Sequence, residues 1–299
     1  MLRPYEGPAR VIVGYDGSED AEAALRYGVT EAVSRDAELV LVNAVDDMVL
    51  NSAWGVVFDP ETIRSSAMDL LAAGVERATG LGLPVDRIRN AVELGNPAAV
   101  LSRHSEAASL IVLGRRSVAE GERAFVGSTA VGVVGTSHCP VIVVGADHQQ
   151  RTERAGLIGV GVNTAAKGAL ALEWALEECE AHGGEVVVVS VAKAASGRLF
   201  RSGAIPPELQ AELVEVTRTR IEEMIRPLAQ AHPGVPVGLE VSYGSPVDLL
   251  VARTDDLDLI VVEVQTSFPT YSVGGVTRGL LTHARCPVGT ILARDSHGS

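Results

Sequence analysis

An internal duplication constrains the fold of this chain more than any other feature of its sequence. The pattern of apolar and polar segments in residues 10–144 starts again after residue 155. Asp16 falls opposite Asn163 and Cys139 falls opposite Cys286, both at an offset of 147 residues. Self-similarity at a fixed period indicates repeated structural units, so the chain is predicted to fold as two similar domains.

Each copy alternates short apolar runs with longer segments of helical spacing. This alternation predicts βαβ units and a parallel sheet. Aromatic residues make up only 4% of the chain, so Val, Leu, Ile and Ala must build the cores, as is typical of a buried parallel sheet. The polar segment 146–154 reads as a linker, which predicts domains at residues 1–147 (the first repeat) and 155–299 (the second repeat). In the first repeat the predicted strands are 10–14, 38–45, 87–94, 109–113 and 140–144.

Charge and cysteine content exclude several classes of protein. The formal net charge is −13, and such an acidic surface repels a phosphate backbone, so we expect no nucleic-acid partner. No stretch approaches the roughly 20 uninterrupted apolar residues of a membrane span. Three cysteines, an odd number, argue against a disulfide framework and favour the cytoplasm. Cys139 and Cys286 precede prolines at matching positions and are interpreted as packed side chains.

The segment 114–129, GRRSVAEGERAFVGST, is the candidate binding loop. It follows a predicted buried strand and opens a predicted helix, which is where doubly wound folds can bind phosphate. Glycines border many ordinary βα loops, however, so the residues alone leave a second interpretation open. Gly127 and Ser128 cap the following helix in either case. Asp16 is either a ligand or merely part of the turn and cap before the first helix. Arg115 and Arg116 are either phosphate partners or solvated charges.

Several stretches together resemble the universal stress protein family in its tandem two-domain form. In the first repeat they are VIVGYDGSEDAEAAL, GNPAAVL, SLIVLGRR with VGST, and SHCPVIVV; in the second they are IGVGVNTAAKGALALEWAL, GSPVDLL, LDLIVVE and THARCPVGTIL. The resemblance implies an α/β fold of two tandem doubly wound domains. Each would be a five-stranded parallel sheet in the order 3-2-1-4-5 with helices on both faces. It also implies pairing through the edges of the fifth strands, and hence a homodimer.

The ATP-binding branch of that family carries Gly, two residues, Gly, nine residues, and then Gly followed by Ser or Thr. The first repeat keeps this spacing, with Ser117 in place of the second glycine. The resemblance therefore implies an adenine nucleotide as the ligand, namely ATP, alone or with Mg²⁺. It assigns Asp16 to the ribose and the strand end near Ala44 to the adenine. The implied binding residues are Gly14, Asp16, Ala44, Leu113, Gly114, Ser117, Gly127, Ser128 and Thr129.

The second repeat departs from this pattern at the same positions. Asn163 replaces the aspartate, Glu263 replaces the first glycine, Thr266 replaces the second, and the loop is two residues shorter. A carboxylate at a strand end repels a phosphate chain, so our hypothesis is that this repeat has lost ATP binding. Its first helix is predicted over residues 165–181.

The function implied is that of a stress-response protein that binds ATP in its first repeat and acts through nucleotide-linked conformation or association. No Gly-Lys-Ser/Thr sequence follows the glycine loop, so rapid phosphoryl transfer is not expected. The protein would be a slow ATPase at most, and we assign no catalytic residue and no metal ligand. A nucleotide-free scaffold that acts through protein partners is the alternative.

Overall fold

A computed structural model describes residues 9–46, 60–116, 126–148, 156–163, 167–193, 205–265 and 273–293. The chain divides into two compact units: the first contains residues 1–150, 264–274 and 289–299, and the second contains residues 151–263 and 275–288. Most of the polar segment interpreted as a linker lies outside the described residues.

The first unit is a parallel sheet whose strands alternate with helices. Its strand order is β3-β2-β1-β4-β5, and every neighbouring pair is parallel. The α/β class predicted from the alternation is confirmed. The elements are β1 (Arg10–Gly14), α1 (Glu19–Ser34), β2 (Glu38–Val45), α2 (Pro60–Gly80), β3 (Ile88–Leu94), α3 (Pro97–His104), β4 (Leu110–Gly114), α4 (Ser128–Thr136) and β5 (Val141–Val144).

Helices cover both faces of this sheet, and its central strands are apolar on both sides. Successive side chains of a strand point to opposite faces. On β1, Val13 packs against Gly28 of α1, whereas a side chain at Gly14 would meet Leu101 of α3. Helix α1 packs with α2, and α3 packs with α4. The central strands β1 and β4 are therefore buried from both sides, and only their ends reach solvent.

The second unit repeats this arrangement over its described pairings. Strands β8, β7, β6 and β9 lie side by side in that order and are parallel, which matches β3, β2, β1 and β4 of the first unit. The elements that follow residue 155 are β6 (Leu157–Val162), α5 (Ala169–His182), β7 (Glu185–Ala192), α6 (Pro207–Ala231), β8 (Val237–Tyr243), α7 (Pro246–Arg253), β9 (Leu259–Gln265), α8 (Gly275–His283) and β10 (Val288–Ala293).

One helix begins later than its sequence pattern predicts. Residues 165–181 have helical spacing, but α5 begins at Ala169. The residue before it, Gly168, has a φ of 128°, a backbone conformation that is incompatible with a right-handed helix. The start of α5 is therefore fixed by this glycine rather than by the apolar spacing.

Candidate functional site

A cavity of about 390 Å³ lies in the first repeat where β1, β2 and β4 end and α4 begins. This is the point where the strand order reverses, because β1 lies between β2 and β4 and the chain crosses from one side of it to the other. Such switch points are where open α/β sheets bind ligands. Eight residues that the family resemblance implied line this cavity: Gly14, Asp16, Ala44, Leu113, Gly114, Gly127, Ser128 and Thr129. The ninth, Ser117, lies outside the described residues.

The end of β1 supplies the floor of the cavity. A Cβ atom at Gly14 would lie 2.7 Å from Leu113 Cδ2 and 3.3 Å from Leu101 Cδ1, so glycine lets strands β1 and β4 and helix α3 approach closely. Two residues further, Asp16 Oδ1 accepts a hydrogen bond from Ser18 N at 3.1 Å, and Ser18 caps α1 by accepting from Ala21 N. Asp16 therefore stabilises the turn and borders the cavity at the same time.

The buried side chain of Tyr15 holds this turn against helices α1 and α2. Its side chain is 2% exposed, and its hydroxyl contacts Glu22 of α1 and Arg77 of α2. Burial, together with the hydrogen bond to the Glu22 carboxylate, raises the pKa of Tyr15 to about 12, so the phenol stays neutral at physiological pH. Asn43 of β2 donates a 2.7 Å hydrogen bond from Nδ2 to the Tyr15 carbonyl, which joins the ends of β1 and β2.

Sequence reasoning missed Asn43, although a signal was available. Asn43 is the only amide in the apolar run ELVLVNAV, and it is buried with 9% of its surface exposed. Buried polar side chains are hydrogen-bonded because an unpaired amide costs free energy. An amide in a buried strand therefore indicates a backbone group that needs a partner, which here is the Tyr15 carbonyl.

The opposite wall of the cavity is the N-terminus of α4. Gly127 is its cap residue, with φ −61° and ψ 145°, and among the described residues no side chain caps the helix there. Gly127 N donates to Arg115 O at 2.8 Å, which closes the glycine loop between β4 and α4. Ser128 and Thr129 form the first turn, where the N–H groups of a helix point outward and the helix dipole favours an anion. This end of the cavity is therefore suited to a phosphate group.

The two arginines after β4, for which the sequence left open a role as phosphate partners or as solvated charges, both lie near carboxylates. Arg115 is 6% exposed, and its Nη1 lies 3.9 Å from Asp147 Oδ1. Arg116 Nε donates to Asp20 Oδ2 at 3.2 Å, and Arg116 N donates to the same oxygen at 2.8 Å. Both residues border the cavity, and the Arg116 guanidinium joins this end of β4 to Asp20 of α1.

The matching end of β9 in the second repeat is arranged differently. Glu263 Oε2 accepts from Gly168 N at 2.9 Å and from Leu170 N at 3.3 Å, so its carboxylate caps the N-terminus of α5. Asn163 is exposed at the position that matches Asp16, and Thr266 lies outside the described residues. A side-chain anion thus occupies this helix terminus.

The described part of the chain holds no metal-binding cluster, and its cysteines are buried. No group of three or more His, Cys, Asp or Glu residues there is placed to hold a metal ion. All three cysteines are buried and free. Burial raises the pKa of the Cys139 thiol to about 12 and that of Cys179 to about 11, so both are unreactive at neutral pH. Among the helices described, none combines the length and apolar character needed to cross a membrane.

Comparisons with known proteins identify the scaffold. The sequence profile of the universal stress protein family matches twice, over residues 8–145 and 157–291. A universal stress protein of Mycobacterium tuberculosis is 25% identical over 303 residues, which cover 96% of this chain and 97% of that protein. A universal stress protein of Archaeoglobus fulgidus has a similar solved structure, with a TM-score of 0.69, 17% identity, and coverage of 95% of this chain and 98% of that one. A universal stress protein solved in complex with cAMP matches 47% of this chain and 99% of its own length, with 20% identity and a TM-score of 0.37. With two profile matches that together span most of its length, the chain belongs to the universal stress protein family.

Proposed function

We propose that the first repeat binds an adenine nucleotide, ATP, in the cavity between β1, β2, β4 and α4. The observation that supports this most directly is that distant parts of the sequence meet at one cavity. Residues from four separate stretches of the sequence, around positions 14, 44, 114 and 128, line one cavity. Its volume of about 390 Å³ falls in the range of small-molecule sites, which is roughly 300–1,000 Å³.

The residues that line the cavity suggest how the nucleotide would be oriented in it. Ala44 and Asn43 at the end of β2 offer apolar surface and backbone groups to the adenine. Asp16 offers a carboxylate to the ribose hydroxyls. Gly114 and the first turn of α4 offer close backbone approach and N–H groups to the phosphates. Magnesium, if bound, would sit on the phosphates, since the described residues offer no cluster that holds a metal by itself.

The proposed role is binding rather than turnover. Fast phosphoryl transfer needs a lysine or another cation on the transferred phosphate and a residue that positions the attacking nucleophile. The sequence lacks the Gly-Lys-Ser/Thr motif, and Arg116 is already paired with Asp20. A bound nucleotide would instead stabilise one conformation and its association surface by linkage. At most, hydrolysis would be slow.

The second repeat is proposed to bind no ATP. Glu263 would present a carboxylate where the first repeat presents Gly114, and this carboxylate already satisfies the N-terminus of α5. We further propose domains at residues 1–147 and 155–299, a cytoplasmic location, a role in the stress response, and a homodimer through the fifth strands. Sedimentation at several protein concentrations, with and without ATP, tests the dimer.

The first experiment is to denature the purified protein with heat and to count the adenine nucleotides released per chain. Titration calorimetry with Mg-ATP on the nucleotide-free protein then measures affinity and stoichiometry. About one ATP per chain supports the proposal, and two contradict the assignment of the second repeat. No released nucleotide and no binding heat would favour the nucleotide-free scaffold.

A matched pair of variants tests the location of the site. Gly127→Val places a branched side chain at the phosphate end of the cavity, and its φ of −61° suits any residue. We expect ATP affinity to fall by at least about tenfold, equivalent to about 1.4 kcal/mol, with an unchanged circular dichroism spectrum. Gly274→Val is the control, because Gly274 is the matching glycine of the second repeat and a Cβ there meets nothing within 4 Å. Equal ATP affinities in the two variants would show that the loop has been misassigned.

A further inference from the structure

Asp20 is a buried carboxylate that connects three segments around the proposed phosphate end. It lies in the first turn of α1 and is only 5% exposed. Its Oδ2 accepts hydrogen bonds from Arg116 N at 2.8 Å and from Arg116 Nε at 3.2 Å. Its Oδ1 accepts a hydrogen bond from Ala146 N at 2.6 Å. One side chain therefore ties α1 to the residues that follow β4 and to those that follow β5.

These contacts fix the place where the glycine loop leaves the sheet. A Cβ at Gly114 would lie 2.7 Å from the Asp20 carbonyl carbon, so the end of β4 lies directly against the first turn of α1. Ser18 Oγ adds a weak 3.4 Å contact to Arg116 O. Buried carboxylates are costly unless they are paired and hydrogen-bonded, so this arrangement resists distortion.

The other end of the loop is tied to the same short segment. Arg115 N donates to Val144 O at 2.8 Å, and Arg115 O accepts from Gly127 N at 2.8 Å. The Arg115–Arg116 pair thus sets the position of the α4 N-terminus relative to β4. Because Asp20 holds Arg116 through both its backbone and its side chain, it controls the geometry of the whole loop entrance.

The second repeat supports a positional role for this carboxylate. Lys167 stands at the position that matches Asp20, and Glu263 stands at the position that matches Gly114. There the acid comes from the strand end and accepts from the helix backbone, the reverse of the first repeat. Both repeats join this helix to this strand end through a carboxylate. Only the first repeat does so while it leaves the strand end as glycine.

We propose that Asp20 is a positioning residue for the triphosphate end of the site. It holds Arg116 and Ala146 so that Gly114 and the α4 N-terminus face the phosphates. The inference rests on the proposed ATP site, but it adds a separate claim: Asp20 sets affinity for the phosphate chain and leaves affinity for the nucleoside unchanged.

The test compares Asp20→Asn with Glu19→Gln in the full chain. Asp20→Asn replaces one acceptor oxygen with an NH₂ group that faces an N–H donor, so one of the two ties must break. Glu19→Gln removes the same charge from the neighbouring, exposed residue of α1 without touching Arg116. For each protein we would measure the affinities for ATP and for adenosine, and the amide hydrogen exchange of peptides that contain Arg116 and Ala146.

We expect Asp20→Asn to lose about tenfold in ATP affinity, to bind adenosine within about twofold of the wild-type protein, and to exchange the Arg116 and Ala146 amides faster. Glu19→Gln should match the wild-type protein in all three measurements. Unchanged ATP affinity, or equal losses for ATP and adenosine, would overturn the proposal. If the wild-type protein bound neither ligand, the proposed function would fail, and unchanged exchange in Asp20→Asn would separately refute its positioning role. A circular dichroism spectrum that differs from wild type would move the test to Asp20→Glu, which keeps the charge and should restore binding only in part.

Discussion

The end of the fourth strand is built in opposite ways in the two repeats. In the first repeat this position is Gly114, and the carboxylate that joins helix to strand belongs to Asp20 on the helix. In the second repeat the strand end itself carries the carboxylate, Glu263, and the helix backbone donates to it. Both repeats thus join the helix to the strand end through a carboxylate. In the first repeat the strand end is left as glycine beside the cavity, whereas in the second it carries the carboxylate itself.

The largest effect is expected when Gly114, at the end of β4, is replaced by glutamate, the residue that the second repeat carries at the matching position (Glu263). In Gly114→Glu the new Cβ would lie 2.7 Å from the Asp20 carbonyl carbon and 2.9 Å from Ala21 N. Both are backbone atoms, so the junction must shift, and a second carboxylate is placed beside Asp20. We expect loss of measurable ATP binding and a drop of about 2–3 kcal/mol in unfolding free energy, measured by urea denaturation.

Gly80→Glu is the control for that variant. It adds the same side chain at the end of α2, where a Cβ meets nothing within 4 Å. Its stability should stay within about 0.5 kcal/mol of wild type and its ATP affinity should not change. If Gly114→Glu bound ATP as well as this control does, the strand end would not distinguish the two repeats.

A smaller effect is expected at the second strand, where Asn43 and Ser190 occupy matching positions. Asn43 donates to the Tyr15 carbonyl, whereas the buried Oγ of Ser190 has no hydrogen-bond partner among the described residues. Asn43→Ala should lower the unfolding free energy by about 1–2 kcal/mol, because it leaves a buried carbonyl unpaired. Ser190→Ala should be neutral or slightly stabilising. A comparable loss in both variants by urea denaturation would contradict this distinction.

The smallest effect is expected from removing the acid of the second repeat. Glu263→Ala deletes the acceptor for Gly168 N and Leu170 N, and loss of a helix cap costs about 1 kcal/mol. Glu263→Gln keeps a neutral acceptor oxygen and should lose less. ATP stoichiometry should stay the same in both, because the loop that follows is still two residues shorter than in the first repeat. If Glu263→Ala bound a second ATP per chain, the Glu263 carboxylate alone would be what prevents ATP binding in the second repeat.

Most of the fold and the outline of the site could be predicted from the sequence. Short apolar runs that alternate with segments of helical spacing predicted the parallel strands, because the central strands β1 and β4 are buried on both faces and must be apolar throughout. The residues of the family motif, such as Gly114 and Gly127, could be placed at strand ends and helix starts before the structure was known. That they share one cavity follows from topology, since parallel strands bring their carboxyl ends to the same edge of the sheet.

The residues that hold the site together were harder to predict. Asp20 reads in the sequence as one of three acids in the first turn of α1, together with Glu19 and Glu22, where acids are favoured in any helix. Nothing local distinguishes Asp20, which is buried against residues 96 and 126 positions away in the chain. The roles of the arginines after β4 stayed open for the same reason, because the partners of Arg115 and Arg116 come from distant segments.

The sequence by itself determined the duplication, the α/β class and the positions of the glycines, since these depend on local periodicity and on backbone freedom. Only the tertiary structure decided which polar side chains meet. Asp20 pairs with Arg116 because the first turn of α1 packs beside the end of β4, and Glu263 turns back to Gly168 because α5 starts beside the end of β9. Hydrogen bonds between segments far apart in the chain depend on distances of a few tenths of an ångström, which residue spacing along the chain does not encode.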